Sequence, residues 1–132
     1  MPDQPGPRRD APVRRGRLGE DLAARHLEAA GFAIVARNWR SPRGEIDLIC
    51  TDGPTVVFVE VRSRRSRRLG RPEASVDWNK RRTVVLASQL WLQRNGGVER
   101  PIRYDVIAVE HGEPAPRIRH LRGAFDGSGD AL

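Results

Sequence analysis

Apolar side chains at Leu18, Leu22, Ala23, Leu27 and Ala30 recur at the spacing of one helical face, and Gly31 follows as a stop. The first predicted element is therefore an amphipathic helix over about Arg17 to Ala30. Phe32, Ile34 and Val35 open a strand that reaches about Trp39, and Ser41, Pro42, Arg43 and Gly44 make a turn before a second strand from Glu45 to Thr51. Asp52 and Gly53 mark a hairpin turn whose geometry Pro54 complicates. Thr55 to Arg62 is almost continuously apolar through Val56, Val57, Phe58, Val59 and Val61, as expected of a central strand covered on both faces.

A loop from Ser63 to Arg71 leads to a long helix, from about Pro72 or Glu73 to Asn95, closed by Gly96 and Gly97. Arg103 to Val109 is a further strand, and a weaker one is expected around Arg117 to Leu121. The order is helix, three strands, helix, then one strand with room for a second. That order predicts an α/β domain with a mixed central sheet flanked by helices, the second helix crossing between parallel neighbours. Residues 1–14 read as a proline-bearing tail, 15–122 as the folded domain and 123–132 as a flexible C-terminal tail.

Within this pattern the acids stand out. Alternate residues of a strand share a face, so Glu45, Asp47 and Ile49 point one way while Ile46, Leu48 and Cys50 point the other. Phe58, Glu60 and Arg62 share a face of the next strand, opposite Val57, Val59 and Val61. Glu60 follows five strand-forming residues, where an ionised side chain is costly unless paired or bound to a metal. The hairpin makes the two strands neighbours, so Asp47 and Glu60 are expected close together on one face. A divalent cation would relieve their repulsion and activate a water towards a phosphodiester; the plainer alternative is Glu60 paired with an arginine such as Arg62. Lys80 lies mid-stripe among Val76, Thr83, Val84, Ala87 and Trp91 and early in its helix. An acidic or phosphate partner would account for that, as would a stem snorkelling past the core edge. Glu20 flanks the apolar stripe of the first helix, where it either reaches the acids or favours the helix N-terminus.

Composition then narrows the chemistry. The 132 residues fit one domain and carry a net charge of +7, a field that attracts nucleic acid unless it serves solubility alone. Lys80 is the only lysine; every other cation is arginine. Cys50 stands alone and the three histidines are scattered, so a metal would be held by oxygen ligands, pointing to Mg²⁺ or Mn²⁺. A free thiol in an apolar strand suits a reducing, cytoplasmic setting. No apolar run approaches the roughly 20 residues that cross a bilayer. Arg64, Arg65, Arg67, Arg68 and Arg71 cluster after the acidic pair, as suits gripping phosphates without reading sequence; a solvated loop is the alternative. Without interleaved aromatics the cluster favours duplex or branched DNA over single strands.

Together, Gly19-Glu20 with Ala23, Asn38-Trp39-Arg40, Gly44-Glu45-Ile46-Asp47-Leu48-Ile49, Phe58-Val59-Glu60-Val61, Val76 with Lys80, and Arg103-Tyr104-Asp105-Val106 are specific. From about Arg15 to Val109 the chain resembles the bacterial YraN family, related to archaeal Holliday-junction resolvases in the PD-(D/E)xK nuclease superfamily. The resemblance implies a restriction-endonuclease-like fold, Asp47 and Glu60 as metal ligands with the Val61 carbonyl completing the site, and Glu20 as an additional acid. It also implies a nuclease acting on DNA and a homodimer. One position departs: the pattern expects lysine two residues after Glu60, and this chain has Arg62, which keeps the charge but is forked and effectively never deprotonated. Two functions follow as expectations. One is a metal-dependent nuclease in which Lys80 or Arg62 steadies the phosphate; the other is a nucleic-acid-binding module that has lost catalysis through Arg62. A domain meeting an acidic protein partner is a third.

Overall fold

The computed structural model describes residues 11–65, 78–96 and 99–129, with residues 11–16 described in backbone only. Helix α1 (Ala11–Ala29) precedes strands β1 (Ala33–Ser41), β2 (Gly44–Asp52) and β3 (Thr55–Arg64); helix α2 (Trp78–Arg94) then leads to β4 (Ile102–Glu110) and β5 (Arg117–Phe125). The strands form one five-stranded sheet in the order β1-β2-β3-β4-β5. All neighbours are antiparallel except β3 and β4, which run parallel on either side of the α2 crossover. This is the predicted α/β order with the further strand present, and it is compatible with a restriction-endonuclease-like fold. Among the described residues no helix is long and apolar enough to cross a membrane.

The apolar run of β3 is buried because it is the middle strand. On one face Val57 and Val59 pack with Leu48, Cys50, Ile107 and Val109 beneath Ala23, Ala24 and Leu27 of α1. On the other, Val56 and Phe58 pack with Val84, Val85, Ala87, Trp91 and Leu92 of α2. The Phe58 ring meets Trp91 edge-on at 5.9 Å and stacks with Tyr104 at 5.7 Å, and Tyr104 stacks in turn on Phe125 at 5.1 Å. Burying one such ring contributes about 1.5–3 kcal/mol. The Tyr104 hydroxyl stays satisfied in this apolar layer through a 2.6 Å hydrogen bond with Ser88 Oγ.

Two turns follow from their residues. Gly53, at φ +61°, supplies the left-handed start of a two-residue hairpin, and the fixed φ of Pro54 fits its second position, so Asp52 pairs with Thr55. At the β1–β2 tip, Ser41 Oγ donates to the Gly44 carbonyl at 2.9 Å and accepts from Arg43 N–H at 3.1 Å.

Several boundaries differ from expectation. Helix α1 begins at Ala11, inside the stretch assigned to a tail; Pro12 near a helix start forfeits no intrahelical bond. Strand β5 runs to Phe125, so residues 123–125 belong to the sheet and not to a tail: Phe125 is buried and Gly123 N–H donates to Asp105 Oδ1 at 2.9 Å. Residues 1–10, 66–77, 97–98 and 130–132 lie outside the described residues, and with them Val76, the first turns expected of the second helix and the outer ends of both tails.

Strict alternation also fails in β2. Ile46 packs with the α2-side cluster, whereas Leu48 and Cys50 pack against α1, so these three do not share a face. Pairing with β3 runs only from Leu48↔Val59 to Asp52↔Thr55, and the change of side falls at Asp47, just beyond its end.

Buried Asp105 pins β4 to β5. Arg103 clamps both its oxygens at 2.9 and 3.0 Å, and His120 Nε2 lies 2.7 Å from Oδ2. Burial pushes this carboxyl up, but the hydrogen bonds from His120, Arg103 and Gly123 outweigh it and hold Asp105 below the ordinary range.

Candidate functional site

Continuing the β2–β3 register by one step sets Asp47 against Glu60, and there the ladder ends. In its place Val61 N–H donates to Asp47 Oδ2 at 2.8 Å, tying the β2 carboxylate to the β3 backbone. Glu60 is 2% exposed; its Oε2 accepts from Lys80 Nζ at 3.1 Å, while its Oε1 is buried with no hydrogen-bond partner among the described residues. Lys80 reaches Glu60 from the first turn of α2 and is itself 38% exposed, so the lysine does face the sheet.

The energetics of the pair explain its protonation. Burial pushes Glu60 up to about 8 and Asp47 pushes the same way, with Lys80 and Arg62 only partly opposing them. Burial also raises Asp47, against the Val61 N–H, Lys80 and a hydrogen bond with Glu60. Two carboxyls can share a hydrogen only if one is protonated, so in this state the pair is short of positive charge. For Lys80 the cost of burial is outweighed by Glu60 and Asp47, and its affinity for the proton rises.

Glu20 comes to the edge of this cluster from α1. Its Oε1 accepts from Asn38 Nδ2 at 3.0 Å, and burial raises its carboxyl, opposed by Asn38 and Arg37 but reinforced by the nearby charges of Asp47 and Glu45. One residue earlier α1 presses on β3: a Cβ at Gly19 would lie 2.8 Å from Ser63 Oγ and 3.0 Å from its Cβ. Ser63 Oγ is in turn hydrogen-bonded to His111 Nε2, at the end of β4.

The structure thus gathers Asp47, Glu60, Val61 and Lys80, with Glu20 at the edge of the cluster and Arg62 on the next outward position of β3. Arg64 and Arg65 continue from the same strand end, while Arg67, Arg68 and Arg71 lie outside the described residues. Asn38, Gly19, Ser63 and His111 were not assigned roles from sequence. Their signal is conformational: Asn38 stands at φ +52° within a strand, and Gly19 sits where no side chain fits.

Among the described residues no three His, Cys, Asp or Glu side chains are gathered closely enough to hold a metal. A cation at this site would therefore take two carboxylates, completed by backbone oxygen and water. That donor set suits Mg²⁺ or Mn²⁺, which keep several waters and rely on one or two carboxylates. The orphaned Glu60 oxygen and its retained proton fit such an ion, because a divalent charge would satisfy both acids at once.

Residues 19–109 match a family model described as Uncharacterised protein family UPF0102. The chain is also 52% identical over 114 residues to a UPF0102 protein of Anaeromyxobacter dehalogenans (strain 2CP-C), covering 86% of this chain and 85% of the relative. A UPF0102 protein of Rhodococcus jostii (strain RHA1) is 47% identical over 111 residues, covering 83% and 94% respectively. One of Pseudomonas aeruginosa (strain LESB58) is 44% identical over 115 residues, covering 85% and 92%.

Proposed function

From a chain that belongs to the UPF0102 family, and from the acid pair at its centre, we propose a metal-dependent nuclease that binds and cleaves DNA, with branched or structured duplexes as substrate. The observation that carries this reading is Glu60: buried, with an oxygen that has no hydrogen-bond partner among the described residues, beside the half-buried carboxyl of Asp47. An arrangement kept only for stability would be poorly chosen, since replacing buried ionisable groups by apolar ones is often neutral or favourable.

Asp47 and Glu60 would hold Mg²⁺ or Mn²⁺, with the Val61 carbonyl as a backbone ligand. When bound, the ion supplies charge neutralisation at the phosphate and an acidified water. The chain's own residues do the rest. Lys80 Nζ stands at the acid pair on a side chain that is 38% exposed, where it can meet a non-bridging phosphate oxygen as negative charge develops there. Arg62 adds positive charge on the same strand, and Arg64, Arg65, Arg67, Arg68 and Arg71 grip flanking phosphates without base readout. Arg62 cannot accept a proton, so its part would be limited to charge stabilisation.

Incubation of a labelled four-way DNA junction with Mn²⁺ tests this directly. Cleavage by the unaltered protein, lost in Asp47→Ala and Glu60→Ala, is expected; cleavage that persists in both variants would falsify it. The presence of arginine at position 62 favours a second reading, a binding module without catalysis. That reading expects salt-sensitive binding, no cleavage with any metal, and cleavage gained in Arg62→Lys.

A further inference from the structure

We propose that Asn38 is a positioning residue for Glu20, holding this third carboxylate beside the acid pair, outside the ligand set; the inference rests on the metal reading above. Among the described residues Asn38 is the only non-glycine with positive φ, at +52°, and it adopts this conformation inside a β-strand. Left-handed backbone is disfavoured for L-residues and least so for asparagine, so the position demands a residue that tolerates the turn and carries a short amide.

The register explains where the distortion falls. Arg37 pairs with Leu48 and Trp39 with Ile46, which leaves Asn38 across from Asp47, at the place where β2 ends its pairing with β3. Trp39 and Ile46 go to the α2 side of the sheet, while the Asn38 amide meets Glu20 of α1. A single exposed hydrogen bond stabilises little, so stability alone is a weak reason to keep a left-handed residue in a strand. Strain of this kind gathers at functional sites.

Asp47 and Glu45 repel Glu20, Arg37 attracts it, and the Asn38 hydrogen bond is the largest of the effects that favour its charged form. Released, its carboxylate would turn to solvent and away from the other acids. Two features hold it instead. The close approach of Gly19 to Ser63 fixes the α1 backbone against β3, and the Asn38 amide fixes the side chain. Asn38 thereby lends Glu20 to the negative field that a divalent cation meets, without touching the cation itself.

The test uses the full chain and Mn²⁺ alone, with affinity read by electron paramagnetic resonance and the metal-free melting temperature by calorimetry. Asn38→Gly keeps the left-handed backbone and removes the amide. It should melt no lower than the unaltered protein yet bind Mn²⁺ roughly tenfold more weakly, as loss of an outer-shell partner does. Asn38→Ala should lose the same affinity and also melt lower. Glu20→Gln should weaken Mn²⁺ binding, and in that background Asn38→Gly should cost nothing more. Unchanged affinity in Asn38→Gly, or losses that add in the double variant, would overturn the inference while Asp47→Ala still abolished binding. An unaltered protein that bound no Mn²⁺, or an Asp47→Ala variant that bound it equally, would overturn the metal reading and this inference with it.

Discussion

Without metal, Glu60 should make the protein less stable as pH rises, and Glu60→Gln should abolish that loss. In the unfolded chain this carboxyl ionises near its ordinary 4.5, whereas in the folded protein burial and Asp47 hold the proton to about 8. Below 4.5 both states are protonated and the group contributes nothing. Between 4.5 and 8 the folded state binds more protons than the unfolded one, so stability falls by about 1.4 kcal/mol per pH unit. At pH 7 the loss is on the order of 3 kcal/mol, and it levels off above 8. Asp47, raised in the same direction, adds to it. Glutamine removes the ionisation, can donate to Asp47, and leaves Lys80 half-exposed to water. Urea unfolding with chelator present, from pH 5 to pH 9, should therefore show the variant more stable than the parent by about 2–3 kcal/mol at pH 7, the gap closing towards pH 5. His26, lowered by burial and by the charges of His120 and Arg122, titrates alike in both proteins and cancels. A glutamine variant less stable at pH 7, or a gap independent of pH, would refute the reasoning.

Three further outcomes are expected. Because Glu60 must release its proton to bind a cation, the Mn²⁺ association constant measured by calorimetry should rise about tenfold per pH unit up to about 8 and then level, and a flat profile would count against the site. Gly44→Ala should cost about 3 kcal/mol in urea unfolding, since Gly44 has φ +143° and its Cβ would lie 2.2 Å from Thr83 Cγ2; no loss would mean the β1–β2 tip is not seated on α2. Asp105→Ala should cost about 3 kcal/mol by leaving His120 without its carboxylate and Arg103 with Asp52 alone. As the Asp105 carboxyl is depressed below 3.8, that cost should be full above 3.8 and shrink as pH falls through its folded value; acid denaturation of parent and variant in parallel checks it.

What could be seen in the sequence was what depends on period and neighbourhood. The valine run around Phe58 identified the middle strand, the Asp52-Gly53 turn made β2 and β3 partners, and their alternation brought Asp47 and Glu60 together. Lys80 was legible because a lone lysine in an apolar helical stripe needs an anionic partner, and Glu60 is that partner. What escaped depended on local departures from ideal geometry. Period-two reasoning set Ile46 beside Leu48 and could not see the change of side at Asp47. Asn38 gave no periodic signal, as a left-handed residue breaks the pattern it sits in. The contacts joining Gly19, Ser63 and His111 link residues far apart in the chain, and only the packed helix reveals that position 19 lacks room for a Cβ. The end of β5 was missed because one aromatic, Phe125, after a glycine carries little strand signal until it is found stacked on Tyr104.

Crystals soaked in Mn²⁺ above pH 8, with data collected at the manganese edge, put the question to the molecule itself. An anomalous peak within about 2.5 Å of both Asp47 and Glu60 carboxylate oxygens is the expected result. Strong diffraction with no peak between those two side chains would contradict it.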